Sequence, residues 1–181
     1  QNKVRRVLVI CPLSIMDSAW RGDLQTFVPH RSVDIAYGTA RKRKAIIEQG
    51  ADFVIINYDG VNIVEDSIAS GGFDIIIVDE ATHYKNSRTK RWKTLHKLVN
   101  DNTWLWLMTG TPAAQCPSDA YGLAKLISPM AVPRFFGTFK DMVCIKVSPF
   151  QWKPRDTASD LVHAVLQPAV RFTKEECLDL P

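Results

Sequence analysis

Five strand-length apolar segments punctuate this chain: "VRRVLVIC" (4–11), "SVDIAY" (32–37), "DFVIIN" (52–57), "FDIIIVD" (73–79) and "TWLWLM" (103–108). Between them the apolar spacing becomes that of a helix. In 14–27, Met16, Trp20, Leu24 and Phe27 fall at intervals of four and three. In 88–99, Trp92, Leu95, Leu98 and Val99 form one stripe, with the basic residues elsewhere. Near-continuous apolar strands alternating with amphipathic helices predict a mainly parallel central sheet covered by helices on both faces, an α/β fold. Right-handed crossovers then bring every strand's C-terminal end to one edge, where open α/β sheets bind ligands.

A chain of 181 residues is long enough for one domain with a real core. The alternation holds over 4–128 and weakens after Ser128, with prolines at 129, 133, 149, 154 and 168. Residues 129–156 are expected to be irregular apart from a short helix over 134–143, and 157–166 to be a last helix capped by Thr157 or Ser159. Trp20, Trp92 and Trp104 are expected in the core, and Trp152 in an irregular segment. The apolar runs "FVII", "IIIV" and "WLWLM" fall far short of the roughly 20 residues that cross a bilayer. With no charged-then-apolar leader, secretion is not expected. Cys11, Cys116, Cys144 and Cys177 are widely separated and form no C-x-x-C, which argues against a zinc site and fits reduced thiols in a cytoplasmic setting.

The segment "IIIVDE" (75–80) runs a buried strand into two adjacent carboxylates. Like charges side by side repel, and neither survives unpaired in an apolar interior. Either Asp79 and Glu80 sit at a solvated strand end, or a cation belongs there. A buried strand delivering such a pair to the ligand edge suits nucleotide hydrolysis with Mg²⁺, one carboxylate holding the metal's water shell and the next activating water. Thirty residues on, "WLWLMTGTPAAQ" delivers Thr109, Gly110, Thr111 and Pro112 to a second tip, where two hydroxyls can meet the carboxylates or a phosphate. The bland alternative is a strand-to-helix turn with Pro112 opening a helix.

Together "VDEATHYKN" and "LMTGTPAAQ" resemble motifs II and III of superfamily 2 helicases, and within them the SWI/SNF-type double-stranded DNA translocases, whose first lobe is RecA-like. "VLVICPLSIMDSAWRGDLQTFVP" resembles motif Ia and "FVIINYDGV" motif Ib. "LISPMAVPRFFGTFKDM" and "LVHAVLQPAVRFTKEECLDLP" resemble the family's path toward its second lobe. The matches run in family order from about Val7 to Pro181. The resemblance implies that Asp79 holds Mg²⁺ through water, Glu80 activates the attacking water, and Thr109 and Thr111 couple the ATP state to DNA contacts. Pro12, Leu13 and Ser14 of motif Ia, with Asn57 and Tyr58 of motif Ib, would touch the DNA backbone, and Arg171 and Lys174 would face the second lobe. The expected partners are double-stranded DNA and a second RecA-like lobe of the same protein; no membrane is implied, and the oligomeric state is unknown.

Departures accompany the match. No glycine here is followed by lysine, so the phosphate-binding G-x-x-x-x-G-K-[ST] loop is absent from these residues. The chain reads as most of a RecA-like lobe (1–181) lacking its P-loop strand and helix, with a 4–128 core and a 129–181 extension, and as inactive by itself. ATP and Mg²⁺ are expected to need that loop. Thr82 gives D-E-A-T where D-E-A-H is common, and His83 is displaced by one residue. Alternatives are a non-catalytic nucleic-acid-binding domain derived from such a lobe and an RNA-directed DEAH-type helicase. The compact spacing resembles phage and bacterial members, implying a cytoplasmic or nucleoid-associated protein.

The net charge is +4, and 85–97 carries six Lys/Arg without an acid. Lys85 and Arg88 are candidate DNA contacts; the basic face of that helix and "RKRK" (41–44) otherwise read as solvated surface.

Overall fold

The computed structural model describes residues 5–113 and 115–172. The chain divides into two compact units, the first ending at Pro112 and the second beginning at Ala113.

In the first unit each apolar segment becomes a strand: β1 (Val7–Cys11), β2 (Val33–Ile35), β3 (Phe53–Asn57), β4 (Ile75–Val78) and β5 (Trp104–Leu107). They form one sheet in the order β2-β3-β1-β4-β5, and every pairing is parallel. The chain moves from β1 to β2 and β3 on one side, then crosses to β4 and β5 on the other. The crevice between the C-terminal ends of β1 and β4 is therefore the topological switch point.

The two faces of β1 are both apolar, as burial on both sides requires. Val7, Val9 and Cys11 join Ile55, Ile75, Ile77 and Met16 in one cluster, against which Trp20 and Leu24 pack. Burying such an aliphatic side chain stabilises by roughly 1.5–3 kcal/mol. The cover on that face is not one regular helix: a 3₁₀ turn (Leu13–Ile15) leads into a π-helical stretch (Met16–Arg21) and then α1 (Gly22–Phe27). Trp20 lies within the π-helical stretch, a distortion often found at functional sites. Phe27, read as part of the apolar stripe, is 79% exposed at the end of α1.

The remaining helices are α2 (Ala40–Glu48), α3 (Tyr58–Ile63), α4 (Glu65–Ala69) and α5 (Lys90–Leu98). Thr39 and Thr89 cap α2 and α5, their hydroxyl oxygens accepting from the N–H groups of Lys42 and Trp92. Trp92, Leu95 and Leu98 are buried along α5, as their spacing predicts.

Two further expectations fail in this unit. Trp104 is 71% exposed and Trp106 52%. Both lie in register with Ile75 and Ile77, on the same face of the sheet, but β5 is an edge strand and the cover stops short of it. Arg43, read as part of a solvated basic run, is buried. Its guanidinium donates to the carbonyls of Ala36 (2.6 Å) and Gly38 (2.9 Å) and to Asn57 Oδ1 (2.9 Å). Arg43 is thus satisfied and packed, and three donors in a rigid fork explain why an arginine can be enclosed there.

The second unit opens with a 3₁₀ turn (Pro117–Asp119) running into α6 (Ala120–Ile127), followed by α7 (Phe136–Val143) and α8 (Ala158–Val165). Pro117, not Pro112, stands in the first turn of a helix, while 112–113 form a turn. The Tyr121 hydroxyl donates to the Arg134 carbonyl (2.8 Å), and its ring meets Phe139 at 5.4 Å. Within the stretch expected to be irregular, β6 (Cys144–Ser148) and β7 (Gln151–Pro154) form an antiparallel hairpin with a bulge. Trp152 therefore lies on a strand, with Lys140 Nζ 4.1 Å above its ring. Thr157 takes the N-cap position of α8 but makes no side-chain capping bond.

Candidate active site at the strand tips

All five parallel strands end on one edge, so the residues after them converge by topology. Pro12, Leu13 and Ser14 follow β1; Asn57 ends β3 and Tyr58 follows it; Asp79 and Glu80 follow β4; Thr109 and Thr111 follow β5 after Met108. The β4–β5 ladder runs past its assigned ends. The Met108 N–H donates to the Val78 carbonyl (2.8 Å), and the Ala81 N–H donates to the Met108 carbonyl (2.9 Å). The carboxylate pair and the threonine tip are therefore on adjacent strands within a residue of one another.

Asp79 is the best-held group of the edge. Its N–H donates to the Ile10 carbonyl (2.9 Å), extending the pairing of β4 with β1. Its Oδ1 accepts the Glu80 N–H (2.9 Å) and its Oδ2 accepts the indole N–H of Trp20 (2.9 Å). The Tyr58 hydroxyl donates to the Asp79 carbonyl (2.8 Å). One donor thus comes from the element after β1 and another from the element after β3, and both fix the residue at the switch point. Each carboxylate oxygen keeps further acceptor capacity, so the group is oriented without being consumed.

The sites around it respond to this charge. Burial, and then the Asp79 carboxylate, push the Cys11 thiol up to about 12, so it stays protonated. Burial followed by Asp79 also raises Tyr58 above the ordinary phenol range, which keeps its hydroxyl a donor.

Glu80 is exposed and has φ 46° and ψ 53°, the left-handed region. For a residue with a Cβ this conformation costs about 1–2 kcal/mol. It turns the chain sharply at the strand end and opens the 3₁₀ turn Ala81–Tyr84. Thr111 is exposed and Thr109 half-buried; the Thr111 N–H donates to Thr109 Oγ1 at 3.3 Å.

The Asn57 carbonyl oxygen is already occupied by Arg43, which leaves its amide N–H₂ as the group with donors to offer. Gly60 makes this possible: a Cβ there would stand 2.3 Å from Arg43 Nη1 and 2.8 Å from Asn57 Oδ1. The His83 ring lies tilted by 39° against Tyr58, with centroids 4.6 Å apart, and Arg91 Nη1 is 3.5 Å from its Nδ1. Leu13, Ser14 and Arg88 are exposed and Pro12 and Lys85 half-buried. On α5, Arg91 is paired with Asp59 (2.8 Å) and Lys97 with Glu65 (3.2 Å), so part of its basic surface is committed within the fold. Arg171 is exposed, and Lys174 lies outside the described residues.

The sequence reading missed the polar roles of Trp20, which donates to Asp79, and of Arg43, which holds Asn57. A half-buried indole needs an acceptor for its N–H, and the nearest strand tips carry two carboxylates; that argument was open from the sequence. No comparable signal marks Arg43.

The chain matches the SNF2-related domain family over residues 1–181. The DNA repair protein rad8 of Schizosaccharomyces pombe is 29% identical over 188 residues, taking in 94% of this chain and 16% of its own length. Helicase SWR1 of Candida albicans is 30% identical over 144 residues, 74% of this chain and 9% of its own. The chain thus spans about a sixth or less of these curated relatives. Similar proteins occur in Bacillus subtilis as well as in fungi, so the compact spacing does not single out a bacterial or phage source. The Sulfolobus solfataricus SWI2/SNF2 ATPase core in complex with dsDNA shares the fold with a TM-score of 0.73 at 24% identity, over 99% of this chain and 37% of that one. No helix among the described residues is long and apolar enough to cross a membrane.

Proposed function

The chain belongs to the SNF2-related domain family, and from that premise we propose that it is the first RecA-like lobe of an ATP-dependent translocase or helicase acting on double-stranded DNA. The observation that carries this reading is the juxtaposition of Asp79 and Glu80 with Thr109 and Thr111, with Asp79 oriented from two other strand tips.

The residues present fit a hydrated divalent cation. Asp79 offers a carboxylate fixed by N–H donors on both oxygens, and Mg²⁺ typically takes one or two carboxylates beside substrate phosphates. When bound, Mg²⁺ neutralises charge developing on the transferred phosphoryl group. Asp79 would hold that ion's water shell. Glu80, exposed and turned by its left-handed backbone, accepts a proton from the attacking water at its carboxylate. Thr109 and Thr111 supply hydroxyls beside the phosphate region. No G-K-[ST] loop that could hold the triphosphate occurs in these residues, and the 181-residue chain is therefore expected to be inactive by itself.

DNA contact falls to the neighbouring tips: Pro12, Leu13 and Ser14 after β1 and Asn57 through its amide, with Lys85 and Arg88 beyond β4. Such backbone contacts are independent of sequence and weaken with salt. Tyr58, expected from the resemblance to touch DNA, is buried at 7% exposure with its hydroxyl given to the Asp79 carbonyl, so its role is to position Asp79 from inside the lobe. Arg171 and Lys174 face the second lobe.

Phosphate release by the full-length protein tests the reading. DNA should stimulate ATP turnover in the wild type, and Glu80→Gln should abolish it while ATP binding persists. Undiminished turnover in Glu80→Gln rejects the assignment.

A further inference from the structure

The sequence places Cys116 and Cys144 in unrelated contexts, but the second unit brings their sulfurs to 3.7 Å. Cys116 is the residue at the N-terminal end of the Pro117–Asp119 turn that continues into α6, and it is only half-buried. Cys144 is the first residue of β6 and is buried at its start. The Ser118 hydroxyl donates to Cys116 Sγ at 3.2 Å. None of these four features bears on nucleotide or DNA.

We propose that Cys116 and Cys144 form a thiol pair that hydroperoxides convert to an intramolecular disulfide, with Cys116 as the sulfur that attacks the peroxide and Cys144 as the one that resolves it. A disulfide needs sulfurs about 2.05 Å apart, so the pair must close by only about 1.7 Å. That is a side-chain adjustment at the junction of a helix start and a strand start.

The roles follow from the surroundings. Burial works against the Cys116 thiolate, but hydrogen bonds from Ser118 and from the Cys144 thiol outweigh it and hold its pKa below that of an ordinary thiol. Burial, and then donation toward Cys116, push Cys144 up to about 11. The more accessible sulfur is thus also the better nucleophile at neutral pH. In the first step the Cys116 thiolate attacks a peroxide oxygen; the O–O bond breaks, the distal oxygen leaves as hydroxide or alkoxide and takes up a proton. Cys116 becomes a sulfenic acid, and the peroxide is reduced. In the second step the Cys144 sulfur attacks Cys116 Sγ, the S–O bond breaks, and hydroxide leaves with the Cys144 proton as water. The product ties the start of the Pro117–Ile127 helical segment to β6.

This differs from the behaviour of Cys11, the buried cysteine beside Asp79, which has no sulfur partner among the described residues. Cys11 therefore serves as an internal control.

The test uses the full-length protein, treated with hydrogen peroxide, alkylated under denaturing conditions and digested with trypsin. The expected result is a cross-linked species joining the tryptic peptides 98–125 and 141–146. Both peptides should disappear from the alkylated pool in equal amounts, and dithiothreitol should restore them. Cys144→Ser should leave Cys116 as a sulfenic acid trapped by dimedone. Cys116→Ser should leave Cys144 fully alkylated at the same peroxide dose, a result that does not depend on the folding of the Cys144 variant. Full alkylation of both thiols in the wild type, a Cys116 mixed disulfide with another partner, or oxidation of Cys144 in Cys116→Ser would each overturn the proposal.

Discussion

Replacing Trp20 by phenylalanine keeps an aromatic ring against the core cluster that contains Met16 but deletes the indole N–H that donates to Asp79 Oδ2 at 2.9 Å. A hydrogen bond to a charged group contributes about 1.5–3 kcal/mol. Both partners are half-buried, so water competes for the carboxylate and the lower end applies. About 1.5 kcal/mol corresponds to roughly a tenfold change in rate. The loss should appear where Asp79 is used, in metal-dependent turnover rather than in metal-free nucleotide binding. Steady-state phosphate release by the full-length protein with DNA, measured across a Mg²⁺ titration, should show kcat/KM falling about tenfold and the Mg²⁺ requirement rising. Tyr58→Phe removes a neutral bond to the Asp79 carbonyl and should cost about 1 kcal/mol by the same readout. Because both donors fix one residue, the double variant should depart from additivity by at least about 0.5 kcal/mol. A Trp20→Phe protein with lowered thermal stability but an unchanged Mg²⁺ profile would show that the indole only packs, and the reasoning would be refuted.

Two further substitutions test the frame rather than the chemistry. Gly60→Ala drives a Cβ to within 2.3 Å of Arg43 Nη1 and 2.9 Å of Ile56 Cγ1, and should destabilise the protein by about 1–3 kcal/mol in urea unfolding; a midpoint unchanged from wild type contradicts that packing. Asp52 is held down to about 2 from 3.8, first by the Ser32 backbone N–H, then by its hydroxyl and by Arg31. A depressed carboxylate contributes stability above its unfolded pKa and loses it as pH falls toward the folded value. Asp52→Asn should therefore flatten the fall in melting temperature between about pH 4 and pH 2, and identical acid limbs for the two proteins would exclude this contribution.

The parallel sheet was legible because its signal is local. Each of the five apolar segments contains the strand found there, and the helical stripe of Trp92, Leu95 and Leu98 is buried as spaced. Parallel topology alone put Asp79, Glu80 and the Thr109 tip on one edge; that their strands are neighbours is seen in the strand order. Periodicity fails where position within the sheet decides: the run "WLWL" has the composition of a central strand but stands at the edge, leaving Trp104 exposed. It also fails where a long polar side chain finds partners far away in sequence. Arg43 reaches Asn57 and Trp20 reaches Asp79, at separations of 14 and 59 residues. The Cys116–Cys144 pair, 28 residues apart, was invisible for the same reason. The β6–β7 hairpin was hidden by the prolines at 149 and 154, which sit in its turn and at its end.

Binding of Mn²⁺ with a non-hydrolysable ATP analogue to the full-length protein, followed by electron paramagnetic resonance, tests the central assignment most directly. Asp79→Asn should weaken Mn²⁺ in the ternary complex by at least about tenfold, the effect of losing a carboxylate charge beside the hydrated ion worth about 1.4 kcal/mol or more, with metal-free nucleotide affinity retained. Equal Mn²⁺ affinity in the two proteins would mean that the tip of β4 does not face the metal.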